Sequence, residues 1–257
     1  MVARLVKAAA AAAHWNTEPG QSIPTMLRKD CALTIIMPVL NEAAGMAAAL
    51  SSLTRFVNNG AQVLVVDGGS TDATVAIALG SQPPAITVVH AGAGRALQMN
   101  AGAAHANGEV LLFLHADTIL PSHADALVQR ALAGGMHVWG RFDVRIVGRS
   151  AWLPVIAAMM NWRSRLTGIA TGDQAIFMTR AAFTAMKGFT AQPLMEDVDM
   201  SRRLLKLSKP ACLPMKVLTS GRRWDTRGVW RTIVLMWRLR FAYWRGTPAE
   251  KLAQLYR

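Results

Sequence analysis

The sequence predicts an α/β protein with a mostly parallel central sheet and helices on both of its faces. From residue 32 onward, short apolar segments alternate with helical segments, and the connections between them are short. The apolar segments carry few polar residues along their length, which is typical of strands that are buried on both faces. Polar residues instead follow the ends of these segments, where open sheets of this kind bind their ligands.

The first half of the chain alternates regularly between strand and helix patterns. The predicted strands are ALTIIMPVL (32–40), AQVLVVD (61–67), AITVVHA (85–91) and EVLLFLHAD (109–117). The predicted helices between them are EAAGMAAALSSLTRFV (42–57), STDATVAIALG (70–80) and GRALQMNAGAAHA (94–106). Because each helix connects two strands, these strands are expected to run parallel to one another.

The second half predicts more helix than strand. A helix at 122–134, a strand near 137–146, a helix at 151–168, a strand followed by a helix within 174–189, and a helix at 196–207 follow in this order. The last of these helices begins with acidic residues, which favour the positive end of the helix dipole. We expect one α/β domain over 31–225, an N-terminal extension over 1–30, and a basic amphipathic tail over 226–257.

The tail predicts a helix with one aromatic face. Trp230, Ile233, Trp237, Phe241 and Trp244 fall on that face, and arginines recur along its border at positions 231, 238 and 245. Two interpretations are open. The helix lies in a membrane interface, or it packs on the domain while its arginines extend into solvent.

Composition excludes several classes of protein. A hydrophobic content of 52% with 17% charged residues excludes a disordered chain. No apolar run reaches the roughly 18 residues that cross a bilayer. The net charge of +13 favours anionic partners, such as nucleoside diphosphates, lipid headgroups or nucleic acid. Two cysteines give no disulfide framework, so the expected compartment is the reducing cytoplasm.

Polar side chains follow three of the predicted strands. Asn41 and Glu42 end the first strand, Asp67 ends the second, and His115-Ala116-Asp117 ends the fourth. A carboxylate at the end of a buried strand needs a partner, and for Asp67 a bound ligand would supply one. The alternative, a capped turn, explains the nearby Asp72. We expect all of these groups to meet at one edge of the sheet.

Two common nucleotide-binding loops are absent from the expected position. The first strand is followed by PVLNEAAG rather than by GxGxxG, and the sequence has no GxxxxGK[ST] loop. A nicotinamide-dependent enzyme and a P-loop ATPase are therefore both disfavoured.

Six segments, taken in order, resemble glycosyltransferase family 2, whose members have the GT-A fold. They are PVLNE (38–42), VVDGGSTDAT (65–74), GRALQMNAG (94–102), LHAD (114–117), GDQ (172–174) and EDVDMSRRL (196–204). The resemblance covers roughly residues 32–225. Within the family, the sequence is most similar to a small bacterial subgroup associated with arsenosugar biosynthesis.

The resemblance implies an inverting, metal-dependent transfer of a sugar from a nucleoside-diphosphate sugar to an acceptor hydroxyl. His115-Ala116-Asp117 resembles the family's Asp-x-Asp motif, so Asp117 is the implied ligand of Mg²⁺ or Mn²⁺. His115 stands where the family usually has aspartate. It would contact the diphosphate, the ribose or the metal, or it would simply end the strand with a hydrogen bond to the backbone.

Other site residues also follow from the resemblance. Asp197 is the implied catalytic base, whereas Glu196 is explained by the start of a helix. The implied donor-binding residues are Pro38, Asn41, Glu42, Asp67, Arg95, His115, Ala116, Asp117, Asp173, Arg223 and Trp224. Among these, Arg95 and Arg223 would bind phosphate oxygens, and Trp224 would help to form the acceptor side. Gln98 and Asn100 receive no role, because they fit exposed helix positions equally well.

Two other functions remain open. A nucleotidyltransferase would share the metal site and release pyrophosphate. A non-catalytic basic protein that binds nucleic acid or membrane would use the charge without the carboxylates. For the transferase we expect a small-molecule or lipid acceptor, no nucleic acid partner, and a cytoplasmic location. The protein would then be peripheral on the inner face of the membrane if the tail binds lipid.

Overall fold

The computed structural model describes residues 33–81 and 86–256, and eight strands of this part of the chain form one sheet. The predicted extension over 1–30 lies outside the described residues. The strands are β1 (Leu33–Val39), β2 (Gln62–Asp67), β3 (Ile86–His90), β4 (Val110–Phe113), β5 (Thr118–Ile119), β6 (Trp139–Val147), β7 (Phe177–Thr179) and β8 (Ala211–Ser220).

The sheet is mostly parallel, as predicted. Its strand order is β3-β2-β1-β4-β7-β6-β8-β5. Strands β3, β2, β1 and β4 pair in parallel, and so do β6 and β8. Only β7 and β5 run against their neighbours. The carboxyl ends of β1, β2 and β4 therefore lie side by side.

Ten α-helices lie within the described ranges. They are α1 (Ala43–Asn58), α2 (Thr74–Leu79), α3 (Arg95–His105), α4 (Ala124–Ala133), α5 (Leu153–Thr167), α6 (Arg180–Ala185), α7 (Glu196–Leu204), α8 (Arg222–Arg227), α9 (Val229–Trp244) and α10 (Ala249–Tyr256). A short 3-10 turn at Gly172–Gln174 precedes β7. We call it the GDQ turn.

Helices cover both faces of the sheet, because alternate side chains of each strand point to opposite faces. Ile35 and Met37 of β1 pack in the core that contains α1, α4 and α5, whereas Ile36 packs in the core of α3, α6 and α7. Close packing needs a small residue in α3, since a Cβ on Gly102 would lie 2.4 Å from a methyl group of Ile36. The fold is thus the predicted α/β architecture.

Strand β8 was not predicted, and proline explains why. The segment ACLPMKVLTS contains Pro214, which has no N–H to give to a sheet ladder. In the structure, the pairing of β6 with β8 shifts register at this point. Phe142 lies opposite Leu213 and Asp143 lies opposite Lys216, so Pro214 and Met215 are passed over. An irregularity of the ladder therefore accommodates the proline.

The tail packs on the domain through one side and exposes the other. Leu239 of α9 is buried against Met195 and Leu252, so helix α9 is anchored to the domain and to α10. The predicted aromatic face is wrong at Ile233, which packs inward against the main core. The large apolar residues with exposed side chains on α9 are Trp230, Val234, Trp237, Phe241 and Trp244. No helix within the described ranges is long and apolar enough to cross a bilayer.

Candidate active site

Hydrogen bonds join the loops that follow β1 and β2. Asn41 adopts a left-handed conformation with φ of 54°, and its backbone N–H donates to the Ser70 hydroxyl at 2.9 Å. In return, the Thr71 N–H donates to the Asn41 side-chain oxygen at 2.8 Å. The backbone N–H of Glu42 donates to the Thr74 hydroxyl at 2.8 Å. The two loops therefore form one rigid rim at the carboxyl edge of the sheet.

Asp67 is buried in this rim and finds its partners within the protein. Its carboxylate accepts the N–H groups of Gly69 at 3.0 Å and Ser70 at 3.1 Å, and it lies 3.6 Å from His90 Nδ1. Burial acts to raise the pKa of Asp67, but hydrogen bonds from Ser70 and Gly69 outweigh it and lower that pKa. The turn itself, rather than a bound ligand, thus supplies the partners of the Asp67 carboxylate. A contact with the nucleotide stays a prediction.

Gln98 holds the ends of β1 and β2 together, a role that the sequence analysis did not assign. Its buried amide donates to the carbonyls of Val39 at 2.7 Å and Val66 at 2.8 Å. A Cβ on Gly68 would lie 2.9 Å from this amide, so the glycine allows the approach. The spacing of residues in α3 indicates that Gln98 is buried, because Gln98 stands four residues before the buried Gly102 and so lies on the same helix face.

Asn100 also has a structural role in α3. Its side-chain amide donates to the Phe189 carbonyl at 2.8 Å, and its side-chain oxygen accepts the Phe189 N–H at 2.8 Å. These bonds fix the segment that follows α6. Neither Gln98 nor Asn100 is the exposed helix residue that the sequence allowed.

His115 pairs with a carboxylate rather than with the backbone. Its Nδ1 lies 3.2 Å from an oxygen of Asp173 in the GDQ turn. The imidazole also rests on that turn, because a Cβ on Gly172 would lie 2.3 Å from Nε2. Partial burial acts to raise the pKa of Asp173, but the hydrogen bond and charge of His115, with Arg95 and Arg223, lower that pKa. The carboxylate of Asp173 thus orients the histidine ring.

The same turn fixes Asp197 at the start of α7. One carboxylate oxygen of Asp197 accepts the Gly172 N–H at 2.8 Å, and the other accepts the Val198 N–H at 2.7 Å. The GDQ turn thus contacts His115 through Gly172 and Asp173, and Asp197 through Gly172. Three segments that are distant in sequence meet at this turn.

Glu196 is more closely involved than the start of a helix requires. Its side chain is buried, and burial together with the neighbouring Asp197 raises its pKa. Arg95 and His115 act in the opposite direction. A carboxyl group that protonates more readily than usual therefore lies directly beside Asp197. No pattern of residues around Glu196 indicates this burial.

Three arginines face these carboxylates. Arg222 lies 3.6 Å from the Glu42 carboxylate, although the sequence analysis favoured its neighbour Arg223. Arg223 packs over the ring of Tyr256 at 4.4 Å. Burial and the charge of Arg95 lower the pKa of Arg223, while Asp173 and Asp117 oppose that shift. Because the positive charges of Arg95 and Arg223 repel each other, an anion bound between them would be favoured.

Asp117 lies between these groups. It is partly exposed, and it acts on Arg223. Burial raises the pKa of Glu42, and the charge of Asp117 adds to that shift while Arg222 opposes it. Within the described ranges, no group of three or more His, Cys, Asp or Glu side chains could enclose a metal ion. One carboxylate fits a cation that a substrate diphosphate also coordinates, which is how Mg²⁺ is commonly bound. Asp117 therefore fits a shared site and not an all-protein cage.

Most of the predicted site residues come together. Those that meet near the GDQ turn and the rim are Asn41, Glu42, Arg95, His115, Asp117, Asp173, Asp197 and Arg223. Pro38 is buried in β1 opposite Val66. Ala116 and Trp224 are partly buried against the main core. These three residues are placed for packing, and their predicted contacts with the donor stay predictions.

The curated relatives match part of this chain. A PGL/p-HBAD biosynthesis glycosyltransferase from Mycobacterium tuberculosis is 38% identical over 112 residues, which are 40% of this chain and 42% of the relative. The corresponding protein of Mycobacterium bovis matches to the same extent. The chain thus covers less than half of the length of these relatives.

Solved structures share the fold at low sequence identity. Staphylococcus aureus TarS 1-349 in complex with UDP has a TM-score of 0.61 at 17% identity, covering 76% of this chain and 62% of that chain. Mannosyltransferase PcManGT from Pyrobaculum calidifontis, in complex with GDP-Man and Mn²⁺, has a TM-score of 0.59 at 21% identity, covering 94% and 73%. Glucosyl-3-phosphoglycerate synthase from Mycobacterium tuberculosis, in complex with Mn²⁺, UDP and phosphoglyceric acid, has a TM-score of 0.60 at 20% identity, covering 86% and 82%.

The family match is more extensive. Residues 34–189 match the family described as Glycosyl transferase family 2, and they include β1 except its first residue, the strands β2 to β7 and the GDQ turn. This is more than half of the sequence. The chain therefore belongs to glycosyltransferase family 2.

Proposed function

We propose that the protein is an inverting, metal-dependent glycosyltransferase that moves a sugar from a nucleoside-diphosphate sugar to an acceptor hydroxyl. The observation that carries this proposal is the GDQ turn, which bonds to His115 on one side and to Asp197 on the other. The segment His115-Ala116-Asp117, which carries the implied metal ligand Asp117, is thus linked through one turn to the implied base Asp197. Bound UDP, GDP-Man and Mn²⁺ in the similar structures support this class of donor. The arsenosugar association stays a prediction.

In the proposed reaction the acceptor oxygen attacks the anomeric carbon of the donor sugar. A bond forms between these atoms while the bond from that carbon to the diphosphate oxygen breaks, so the configuration inverts. Asp197 takes the proton of the acceptor hydroxyl. The Gly172 N–H fixes the carboxylate for this step.

On the donor side, the chain would bind and neutralise the diphosphate. Arg95, Arg222 and Arg223 would bind its oxygens, since guanidinium groups bond well to phosphate. A bound Mg²⁺ or Mn²⁺ would neutralise charge on the departing diphosphate, and Asp117 would be its protein ligand. The rim formed by Asn41 and Glu42, together with Asp67, would face the nucleoside.

A donor screen tests this proposal. We expect one or more members of a panel of UDP-, GDP- and TDP-sugars to raise the melting temperature only when Mn²⁺ is present. A ligand at 100 times its dissociation constant stabilises the folded state by about 2.7 kcal/mol, enough for a shift of several degrees. Stabilisation by every donor without metal would contradict the metal dependence. Release of pyrophosphate instead of a nucleoside diphosphate would support a nucleotidyltransferase.

We also propose that the protein contacts membranes through an apolar face, which would suit a lipid acceptor. We call this surface the aromatic face. It consists of the exposed apolar side chains of α9 and of a second group of exposed apolar side chains beside and along α5, formed by Trp152, Val155, Met159, Trp162 and Leu166. The two rows are continuous, because the rings of Trp152 and Trp230 lie 5.5 Å apart. Exposed arginines on α9, at positions 231 and 238, and the exposed Arg245 directly after it suit anionic headgroups.

Vesicle binding tests the aromatic face. We expect the double variant Trp237→Ala/Phe241→Ala to cosediment at least about tenfold more weakly with phosphatidylglycerol-containing vesicles, because each aromatic side chain contributes roughly 1.5–3 kcal/mol when it is buried. The control is Leu79→Ala, which removes an exposed apolar side chain on α2. If the double variant changes only the oligomeric state and leaves vesicle binding intact, the face is an interface between copies of the chain.

A further inference from the structure

A second group of arginines lies near the start of α7, the helix that carries Asp197. A cavity of about 180 Å³ opens between α5, α7 and α9. Its lining includes Arg163, Arg202, Arg240 and Tyr243, together with Val198, the residue that follows Asp197. We call it the arginine cavity. Among the residues that the structure describes, no carboxylate lines this cavity.

The arginines of the cavity are incompletely paired. Nη2 of Arg163 is buried and has no hydrogen-bond partner among the described residues. Arg240 is half-buried. Taking guanidinium groups out of water without a counter-charge is costly, so such groups are normally paired. An anion in the cavity would therefore supply the missing hydrogen-bond partner of Arg163 and a further counter-charge beside Arg240.

The electrostatics of the cavity agree with this geometry. Burial and the charge of Arg240 lower the pKa of Arg163 to about 10. Burial likewise lowers the pKa of Arg240. Asp197 opposes both shifts, so the implied base is close enough to act on each arginine. A group held in the cavity would consequently be within reach of Asp197.

We infer that the arginine cavity binds a phosphate group of the acceptor and thereby places the acceptor hydroxyl beside Asp197. The inference rests on the proposed glycosyl transfer and specifies its acceptor as a phosphorylated molecule. A guanidinium group binds phosphate through paired, charge-assisted hydrogen bonds, and two or three such groups suit a dianion. The phosphate is an anchor here, and the nucleophile remains the hydroxyl.

Two sources could supply this phosphate. Trp244 lines the cavity and also belongs to the aromatic face, so a lipid phosphate at the membrane surface has a path to the cavity. A soluble phosphorylated acceptor would use the same arginines from solution. The chemistry at the cavity is the same, and experiment can separate the two sources.

The first arm measures binding of inorganic phosphate to the full chain by its thermal stabilisation. We expect Arg163→Gln and Arg240→Gln each to weaken the response by about tenfold, the effect of one lost charge-assisted contact. Arg130→Gln, which removes an exposed arginine on α4, is the matched control. Arg223→Gln removes a cation of the donor side and reports any phosphate that binds there instead. If Arg223→Gln abolishes the response while both cavity variants keep it, the phosphate occupies the donor side and the inference is overturned.

The second arm uses phosphatidylcholine vesicles that contain either phosphatidic acid or phosphatidylglycerol. Loss of the preference for phosphatidic acid in the double variant Arg163→Gln/Arg240→Gln supports a lipid phosphate. Loss of inorganic phosphate binding with unchanged vesicle binding supports a soluble acceptor. The fold of the double variant is checked by circular dichroism. If the folded double variant keeps both its binding of inorganic phosphate and its preference for phosphatidic acid, the inference is overturned. Because Arg202→Gln alters an exposed side chain, it repeats the test if the double variant does not fold.

Donor binding keeps this test separate from the proposed function. The Mn²⁺-dependent stabilisation by the donor is expected to be unchanged in the cavity variants, since their side chains do not line the donor side. If no donor stabilises any form of the protein, the proposed transfer fails. The phosphate measurements would then decide the cavity on their own.

Discussion

Asp197→Asn is expected to reduce turnover by about 10²–10⁴-fold while donor binding stays within about twofold of the wild type, because general bases typically contribute rate enhancements of that size. Asparagine keeps a side-chain oxygen that can accept the Gly172 N–H, so the GDQ turn is expected to stay in place. The substitution therefore removes the basic group and preserves the local geometry. Product formation at saturating donor, together with the dissociation constant of the donor, checks this expectation.

Asp125→Asn provides the control for this variant. Asp125 makes a hydrogen bond to Asn59 at 2.8 Å on the surface of α4, and its substitution is expected to leave turnover unchanged. Full activity of Asp197→Asn would remove Asp197 from the role of base. The neighbouring Glu196, whose carboxyl group has a raised pKa, would then be the next candidate.

Asp117→Ala is expected to abolish the stabilisation that a donor gives in the presence of Mn²⁺. Asp117 is the protein carboxylate that we assign to the metal, and no enclosing set of ligands exists within the described ranges to replace it. The donor would lose the cation that balances its diphosphate, and affinity is expected to fall by about tenfold to a hundredfold, as for the loss of a strong charged contact. Isothermal titration of the donor with and without Mn²⁺ measures this loss.

Glu109→Gln is the matched control for Asp117→Ala. Glu109 is exposed just before β4, at the opposite end of the strand from the His115 segment. Its substitution is expected to leave metal-dependent binding unchanged. If Asp117→Ala binds the donor equally well with and without Mn²⁺, and as tightly as the wild type does, Asp117 is not the metal ligand.

The sheet was predictable because its signals are local. The apolar segments of β1, β2 and β4 have no competing pattern, and the polar residues at their ends identify the edge that binds ligands. Strand β8 was not predicted because Pro214 cannot take part in a regular hydrogen-bonded ladder. The pairing of β8 with β6 shows how the chain accommodates this proline. Local patterns report backbone preference, whereas this irregularity depends on a distant partner.

The site was predictable in its members but not in its contacts. The order of motifs in the sequence predicts that Asp117 and Asp197 belong to one domain. It does not predict that Gly172 lies between His115 and Asp197. The sequence also suggests a ligand as the partner of Asp67, whereas backbone N–H groups of the turn bond to its carboxylate. Side-chain pairing of this kind depends on the three-dimensional approach of loops. No one-dimensional pattern records such an approach.

Gly172 has a consequence for the order in which substrates bind. Its N–H holds the Asp197 carboxylate, and the imidazole of His115 occupies the space where any side chain at this position would begin. A displacement of the His115 segment by an arriving nucleotide would therefore be transmitted to Asp197, the carboxylate that we propose as the proton acceptor. Steady-state kinetics are then expected to be sequential, with the nucleotide sugar entering first and the acceptor second.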